Sequence, residues 1–120
     1  MLAIRDANGD IFGAYTSHSW APHIGHYGSG ECFLWKKSTN DNDIESVAVF
    51  KPTGKNQFYM ISETDFMAVG CGDSLFGLWL DEQLLYGNSN KVPTFDNEIL
   101  SHESSFECVS LELWELDISV

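Results

Sequence analysis

The residues of this chain that could carry chemistry are few: Ser74 within Gly72-Asp73-Ser74-Leu75, the imidazoles of His18, His23 and His26, the carboxylate of Glu31, and the thiols of Cys32, Cys71 and Cys108. Gly-Asp-Ser-Leu spells the nucleophile motif of one class of serine hydrolases. Such a serine needs a strand-to-helix turn that presents its hydroxyl, and a histidine, held by an aspartate, that takes its proton. Here the motif leads into Phe76-Gly77-Leu78-Trp79-Leu80, which reads as a strand, and Ile99 stands where the aspartate of an Asp-x-x-His pair would precede His102. An ordinary turn is the better reading.

The three histidines and Glu31 would together supply the ligands of a tetrahedral metal site. The same segment, Thr16 to His26 with Pro22, also reads as a polar loop around a Trp20 anchor, and no metal is expected. Asp6, Asn8 and Asp10 resemble the opening of a calcium loop, but Ile11 holds the position that needs glycine and Ser17 the position of the bidentate glutamate. That stretch reads as a turn. The cysteines are odd in number and never form Cys-x-x-Cys, so neither a disulfide framework nor a zinc knuckle is indicated. Cys71 as nucleophile or Glu31 as acid/base would be the centre of a redox or hydrolytic enzyme. A thiolate at neutral pH needs a basic neighbour, and the charges near Cys71 are acidic, so an inert thiol is expected.

These groups must be positioned by a domain of 120 residues with 43% hydrophobic and 13% aromatic residues, a globular composition that reads as one domain, residues 1–120. Eighteen Asp and Glu against six Lys and Arg give a formal charge of −12. Such a balance leaves no basic surface with which to release counterions from phosphates, which argues against direct nucleic-acid or anionic-membrane binding and suits a basic protein partner. No apolar run reaches the ~20 residues of a membrane span and no signal-peptide pattern opens the chain, so it reads as intracellular and no transmembrane segment is expected.

Strands recur between turn signals, with no sustained helical spacing. Leu2–Arg5 and Ile11–Tyr15 flank Asn8-Gly9, a hairpin signal. Cys32–Trp35 precedes an apolar-free stretch, Lys36–Asp43, that reads as a surface loop. Ile44–Phe50, Phe58–Ile61 and Phe66–Val69 follow, then the bend Gly70–Gly72 and a strand ending at Asp81, with Gly77 marking a bulge or a crowded packing face. In that strand Phe76, Leu78 and Leu80 would share one side and Gly77, Trp79 and Asp81 the other; with both sides apolar, it belongs in the middle of the fold. Leu84–Ser89 reads as a short strand and turn, Pro93–Phe95 as an ordered loop, Asp96–Ser104 as the place for short helical turns, and Phe106–Leu116 as a strand with a bulge near Ser110. The expected fold is mainly β, an antiparallel two-sheet sandwich with one or two short peripheral helices.

Taken in order, Phe12-Gly13-Ala14-Tyr15, Tyr27-Gly28-Ser29-Gly30-Glu31 with Phe33-Leu34, Thr53-Gly54-Lys55-Asn56 with Phe58, Gly70-Cys71-Gly72, and Phe76-Gly77-Leu78-Trp79-Leu80-Asp81 closely resemble the TLDc domain. The match continues through Leu84, Gly87, Ser89, Thr94-Phe95, Asn97, Leu100-Ser101 and Leu111-Glu112-Leu113-Trp114. This is the module of the oxidation-resistance proteins, certain nuclear-receptor coactivators and some TBC proteins. The resemblance runs nearly end to end and makes the Gly-Asp-Ser-Leu letters one variant of a glycine-rich family turn. It implies a two-sheet sandwich, no established enzymatic chemistry and no cofactor, a role in the oxidative stress response, and binding to the vacuolar proton-pumping ATPase.

Two departures carry expectations of their own. Family domains begin with a further segment, whereas this chain starts at Met1-Leu2-Ala3-Ile4 with the domain under way, so residues 1–120 read as N-terminally incomplete and an open sheet edge available for self-association is expected. Some members also carry a cysteine shortly before the Thr-Phe pair, where this chain has Val92, so a peroxide-scavenging role does not carry over there. The reading is a cytoplasmic, non-catalytic interaction module, reaching the vacuole or lysosome surface through its partner, with nucleus or mitochondria as alternatives. Its candidate partner-binding or family-motif positions are Gly30, Glu31, Gly70, Gly72, Gly77, Trp79, Asp81, Glu112 and Trp114. Against it stand structural roles for the same residues, the enzyme reading, and sugar binding should Trp20 or Trp35 line a groove.

Overall fold

Asn8-Gly9 does what its chemistry suits it for: Gly9 takes a φ of 85°, its N–H donates to the Asp6 carbonyl (3.0 Å), and the flanking strands pair. The computed structural model describes residues 1–39 and 42–114. These form nine strands: β1 (Leu2–Asp6), β2 (Ile11–Tyr15), β3 (Phe33–Thr39), β4 (Glu45–Phe50), β5 (Met60–Ser62), β6 (Phe66–Gly72), β7 (Leu75–Asp81), β8 (Tyr86–Asn88) and β9 (Ser105–Leu113). All pairings are antiparallel, and the strands lie in the order β4-β3-β2-β1-β9-β8-β7-β6-β5.

The all-β, antiparallel expectation therefore holds, while hydrogen bonding runs through one nine-stranded sheet rather than two separate ones. The reason lies in β9. Ser105–Glu107 pairs with β8 and Cys108–Leu113 with β1, and a register shift between Arg5 and Asp6 leaves Val109 as the extra residue of a bulge. That is the irregularity expected near Ser110, and it lets one strand serve both halves. The sheet then folds over a shared core: a Cβ at Gly77 in β7 would lie 2.9 Å from Leu34 Cδ1 in β3. Phe12, Ile4, Leu34, Met60, Leu78 and Leu80 are each at most 1% exposed within it.

Other expectations shift in detail. The helical turns expected in Asp96–Ser104 are turns and bends, and no helix occurs among the described residues. Instead of repeating backbone bonds, this stretch uses side chains: Asn97 Oδ1 accepts from the Val92 N–H (3.2 Å) and Ser89 Oγ from the Leu100 N–H (3.0 Å). The apolar-free loop is shorter than expected, because Lys36–Thr39 continue β3 and pair with Glu45–Ala48; Asn40 and Asp41 of that loop lie outside the described residues. The strand expected over Phe58–Ile61 is set at Met60–Ser62, since Asn56 Oδ1 caps the Phe58 N–H (3.0 Å) in a turn. Glu115 and Leu116, the end of the last expected strand, also lie outside the described residues.

The glycine bend moves as well. Gly70 and Gly72 sit inside β6, and the chain reverses at Asp73 and Ser74, whose φ angles of 54° and 65° are those of a two-residue type I′ hairpin turn. β7 is an interior strand, as expected, but its facing changes at Gly77: Phe76 and Trp79 both reach the Phe66 ring (5.7 and 6.0 Å), so Phe76 parts company with Leu78 and Leu80. The β6–β7 register is kept across the facing glycines, Gly70 with a φ of 79°. Crowding, not an inserted residue, is what Gly77 answers.

Candidate functional site

Four places gather the polar and aromatic groups of interest. At the first, Gly70, Gly72 and Gly77 converge on the loop Val92–Phe95. A Cβ at Gly70 would stand 2.8 Å from the Phe95 ring, one at Gly72 2.4 Å from Pro93 Cδ, and one at Gly77 3.2 Å from Val92 Cγ2. The loop is tied down by polar bonds: the Cys71 N–H donates to Thr94 Oγ1 (3.0 Å), Asn56 Nδ2 to the Cys71 carbonyl (3.0 Å), and the Thr53 N–H to the Thr94 carbonyl (2.9 Å). The Thr94 hydroxyl proton can go to Asn56 Oδ1 (2.9 Å) or back to the Cys71 carbonyl (3.0 Å). Burial pushes the Cys71 thiol up, against a smaller lowering by the Gly72 backbone N–H. Such a thiol is protonated at neutral pH. Ser74, exposed at a hairpin tip, lacks the strand-to-helix setting of a nucleophile.

The second place was not legible in the sequence. Asp6, 2% exposed, accepts from the N–H groups of Asn8 (3.0 Å) and Asp10 (2.9 Å) through Oδ1 and from the Ser101 hydroxyl through Oδ2. Asp10 Oδ2 accepts from the His102 N–H (3.0 Å) and pairs with His102 Nδ1. The β1–β2 turn thus clamps the Ser101-His102 segment, beside a cleft of about 640 Å³ that Lys36, Lys37 and Glu45 also line. The contacts run serine to carboxylate and histidine to carboxylate, so no serine-to-histidine proton relay exists here. The only sequence signal was an Asp-rich turn, whose partners lie more than 90 residues away: |i−j| is 95 for Asp6 and Ser101.

The Asp10 carboxylate raises His102 above its ordinary 6.5 through the hydrogen bond first and Coulomb attraction second. A folded-state pKa above the unfolded one stabilises fully below about 6.5 and loses that contribution as pH rises through the higher, folded value. Replacing His102 by Gln is therefore expected to lower the melting temperature at mildly acidic pH more than at pH above the folded pKa, where the two curves should converge. A thermal melt series across pH checks it, and a difference independent of pH would refute it.

At the third place, Tyr15, Ser17, Trp20, Leu113 and Trp114 line a cleft of about 470 Å³ together with Met1. Leu113 and Trp114 are 62% and 58% exposed. Glu112, also exposed, accepts from the Trp114 indole (3.1 Å), and the Trp114 backbone exchanges hydrogen bonds with Met1 (2.7 and 2.8 Å). Trp20 lines this cleft and also packs on the core, whereas Trp35 lies against Gly13. The remaining candidates stand apart. Gly30 and Glu31 are exposed before β3, with the Glu31 N–H 3.3 Å from Ser29 Oγ. Trp79 stacks on Phe66, and Asp81 Oδ1 caps the Leu85 and Tyr86 N–H groups (2.9 and 3.3 Å), both roles that shape β7 and its turn.

The fourth place is the histidine segment. His18 bonds Ser17 Oγ (2.8 Å), His23 stacks on Tyr27 (4.6 Å) and His26 on Phe58 (4.5 Å). His18 also meets the Tyr27 ring edge-on (6.4 Å), so the rings are held by aromatic and hydroxyl neighbours, and among the described residues no three His, Cys, Asp or Glu groups gather as a ligand set. Nor, among the described residues, is any helix long and apolar enough to cross a membrane.

The family model of the TLDc domain matches residues 1–117. Oxidation resistance protein 1 of Yarrowia lipolytica is 39% identical over 119 residues, covering 97% of this chain and 49% of that protein. Nuclear receptor coactivator 7 of Mus musculus is 38% identical over 117 residues, covering 98% of this chain and 12% of that protein. Oxidation resistance protein 1 of Saccharomyces cerevisiae is 33% identical over 142 residues, with 97% and 52% covered. The chain thus spans about half the length of its oxidation-resistance relatives, and it belongs to the TLDc domain family.

Proposed function

We propose that this chain is a non-catalytic protein-interaction module of oxidative-stress resistance that binds and regulates the vacuolar proton-pumping ATPase from the cytoplasmic side. Family membership, with relatives named for oxidation resistance, supports the stress role. The observation that carries the binding reading is the Glu112–Trp114 edge of the aromatic cleft. There an indole and a leucine, both more than half exposed, sit beside a carboxylate that orients the indole. Exposed Trp beside a polar rim is the composition of an interface anchor. The protonated Cys71 thiol and the solvent-exposed Glu31 favour this reading over a redox or hydrolytic enzyme.

The test is capture of purified vacuolar-ATPase subcomplexes by the chain at low and moderate salt. Trp114→Ala is expected to weaken capture by about tenfold or more while the melting temperature changes little, since the Trp114 backbone bonds to Met1 do not depend on the indole. Salt-sensitive capture would mark steering by the acidic surface. A folded wild-type chain that captures nothing would overturn the proposal.

A further inference from the structure

The nine-stranded sheet has two outer edges, and among the described residues only one is covered. At β5, Tyr27 exchanges both backbone hydrogen bonds with Met60 (2.9 Å each) and the His23 N–H reaches the Ser62 carbonyl (3.3 Å). At β4, one side pairs with β3 in an unbroken register of six residue pairs, and no segment among the described residues covers the other. Edge strands are ordinarily blunted by Pro, a bulge, lysines along the edge or short length. Ser46–Phe50 has none of these, and Val47 and Val49 are 60% and 45% exposed on it.

This edge is also complementary to itself. Laid antiparallel against a second copy about an axis through Ala48, Val47 of each chain falls opposite Val49 of the other, and Glu45 opposite Lys51. Both valine pairs lie on one face, and both ion pairs join opposite charges. Glu45 already sits 3.0 Å from Lys37 Nζ of its own chain, so a second lysine would complete a three-charge network around it. Other registers lose the match: centring on Val47 sets Glu45 against Val49.

We propose that β4 is an interface for a second copy of this chain, which joins the two nine-stranded sheets by antiparallel pairing about a twofold axis at Ala48. Burial of backbone groups and of the two valine pairs supplies affinity, and the flanking charges select the register.

Sedimentation equilibrium over a wide range of concentration, at an ionic strength that screens the −12 charge of each chain, tests it. A monomer–dimer equilibrium is expected. Lys51→Glu and Glu45→Lys should each weaken it by about tenfold, and the two together should restore most of it, because opposite charges again face each other. Val47→Lys, at an exposed position, should abolish it with melting unchanged. Under mild oxidation Ala48→Cys should cross-link two chains and Val47→Cys should not, since only position 48 meets itself. A chain monomeric throughout, a dimer indifferent to Val47→Lys, charge swaps that fail to compensate, or equal cross-linking at 47 and 48 would each overturn the proposal.

Discussion

Replacing Gly13 by alanine is expected to destabilise the domain by about 3 kcal/mol, a large share of the ~5–15 kcal/mol that holds a domain folded. Gly13 lies in β2 between Ala3 of β1 and Trp35 of β3. A Cβ there would stand 1.8 Å from the Leu2 carbonyl oxygen, 2.8 Å from its carbon and 3.0 Å from Trp35 Cζ2. The indole can tilt away, but a strand carbonyl already committed to the sheet cannot. The methyl must push β1 off β2, and β1 is the strand through which β2, β3 and β4 reach β9. A fall in melting temperature of about 10 °C is the readout. Gly30→Ala is the companion measurement: the nearest atom is Tyr59 Oη at 3.6 Å, so a change within about 0.5 kcal/mol is expected. Equal behaviour of the two variants would contradict the packing described.

Asp6→Ala is expected to cost about as much, roughly 3 kcal/mol, by a different route. The buried carboxylate is the acceptor for two turn N–H groups and for the Ser101 hydroxyl. Truncation removes the acceptor of all three donors at once; the turn N–H groups turn to water, whereas the buried Ser101 hydroxyl keeps only Asp10 Oδ2 at 3.5 Å, and an unsatisfied buried donor costs more than the bond it lost. Asp6→Asn keeps an acceptor for the turn and should cost visibly less. Ser101→Ala should fall between, and a double-mutant cycle with Asp6→Ala should show strong non-additivity, because both changes break the same contact. Denaturant melts of the wild type, the three single variants and the double variant decide it; additive losses would mean that Ser101 is held by something other than Asp6.

What was legible from sequence follows the range of the forces involved. The β1–β2 hairpin and the alternation of β9 depend on neighbours, and Asn8-Gly9 and the Leu111–Leu113 pattern display them. Lys36–Thr39 could not be read as strand, because their place is decided by pairing with Glu45–Ala48 across the sheet rather than by their own propensity. The face of Phe76 was misplaced for a similar reason, since the twist at Gly70 and Gly77 comes from crowding by Val92, Phe95 and Leu34, residues remote in the chain. Asp6 looked like a spare turn carboxylate until its serine partner came into view. The family resemblance rested on ordered glycines and aromatics, and the structure explains Gly13, Gly70, Gly72, Gly77 and Gly87 as close approaches and Gly54 by its φ of 84°, while Gly30 has room for a methyl.

The pairing of β1 with β9 at the centre of the sheet has a consequence for how the protein is made. These strands are neighbours in space, yet nearly the whole described chain is synthesised between them. At ribosomal speeds of about 5–20 residues per second, β1 emerges several seconds before β9 exists. Through that interval the nascent β1–β4 sheet presents the β1 edge that β9 later covers, a pairing-prone surface. High contact order then slows the closing step further. Variants that slow the docking of the last strand are therefore expected to lower cellular yield, even where the finished sheet is as stable as ever.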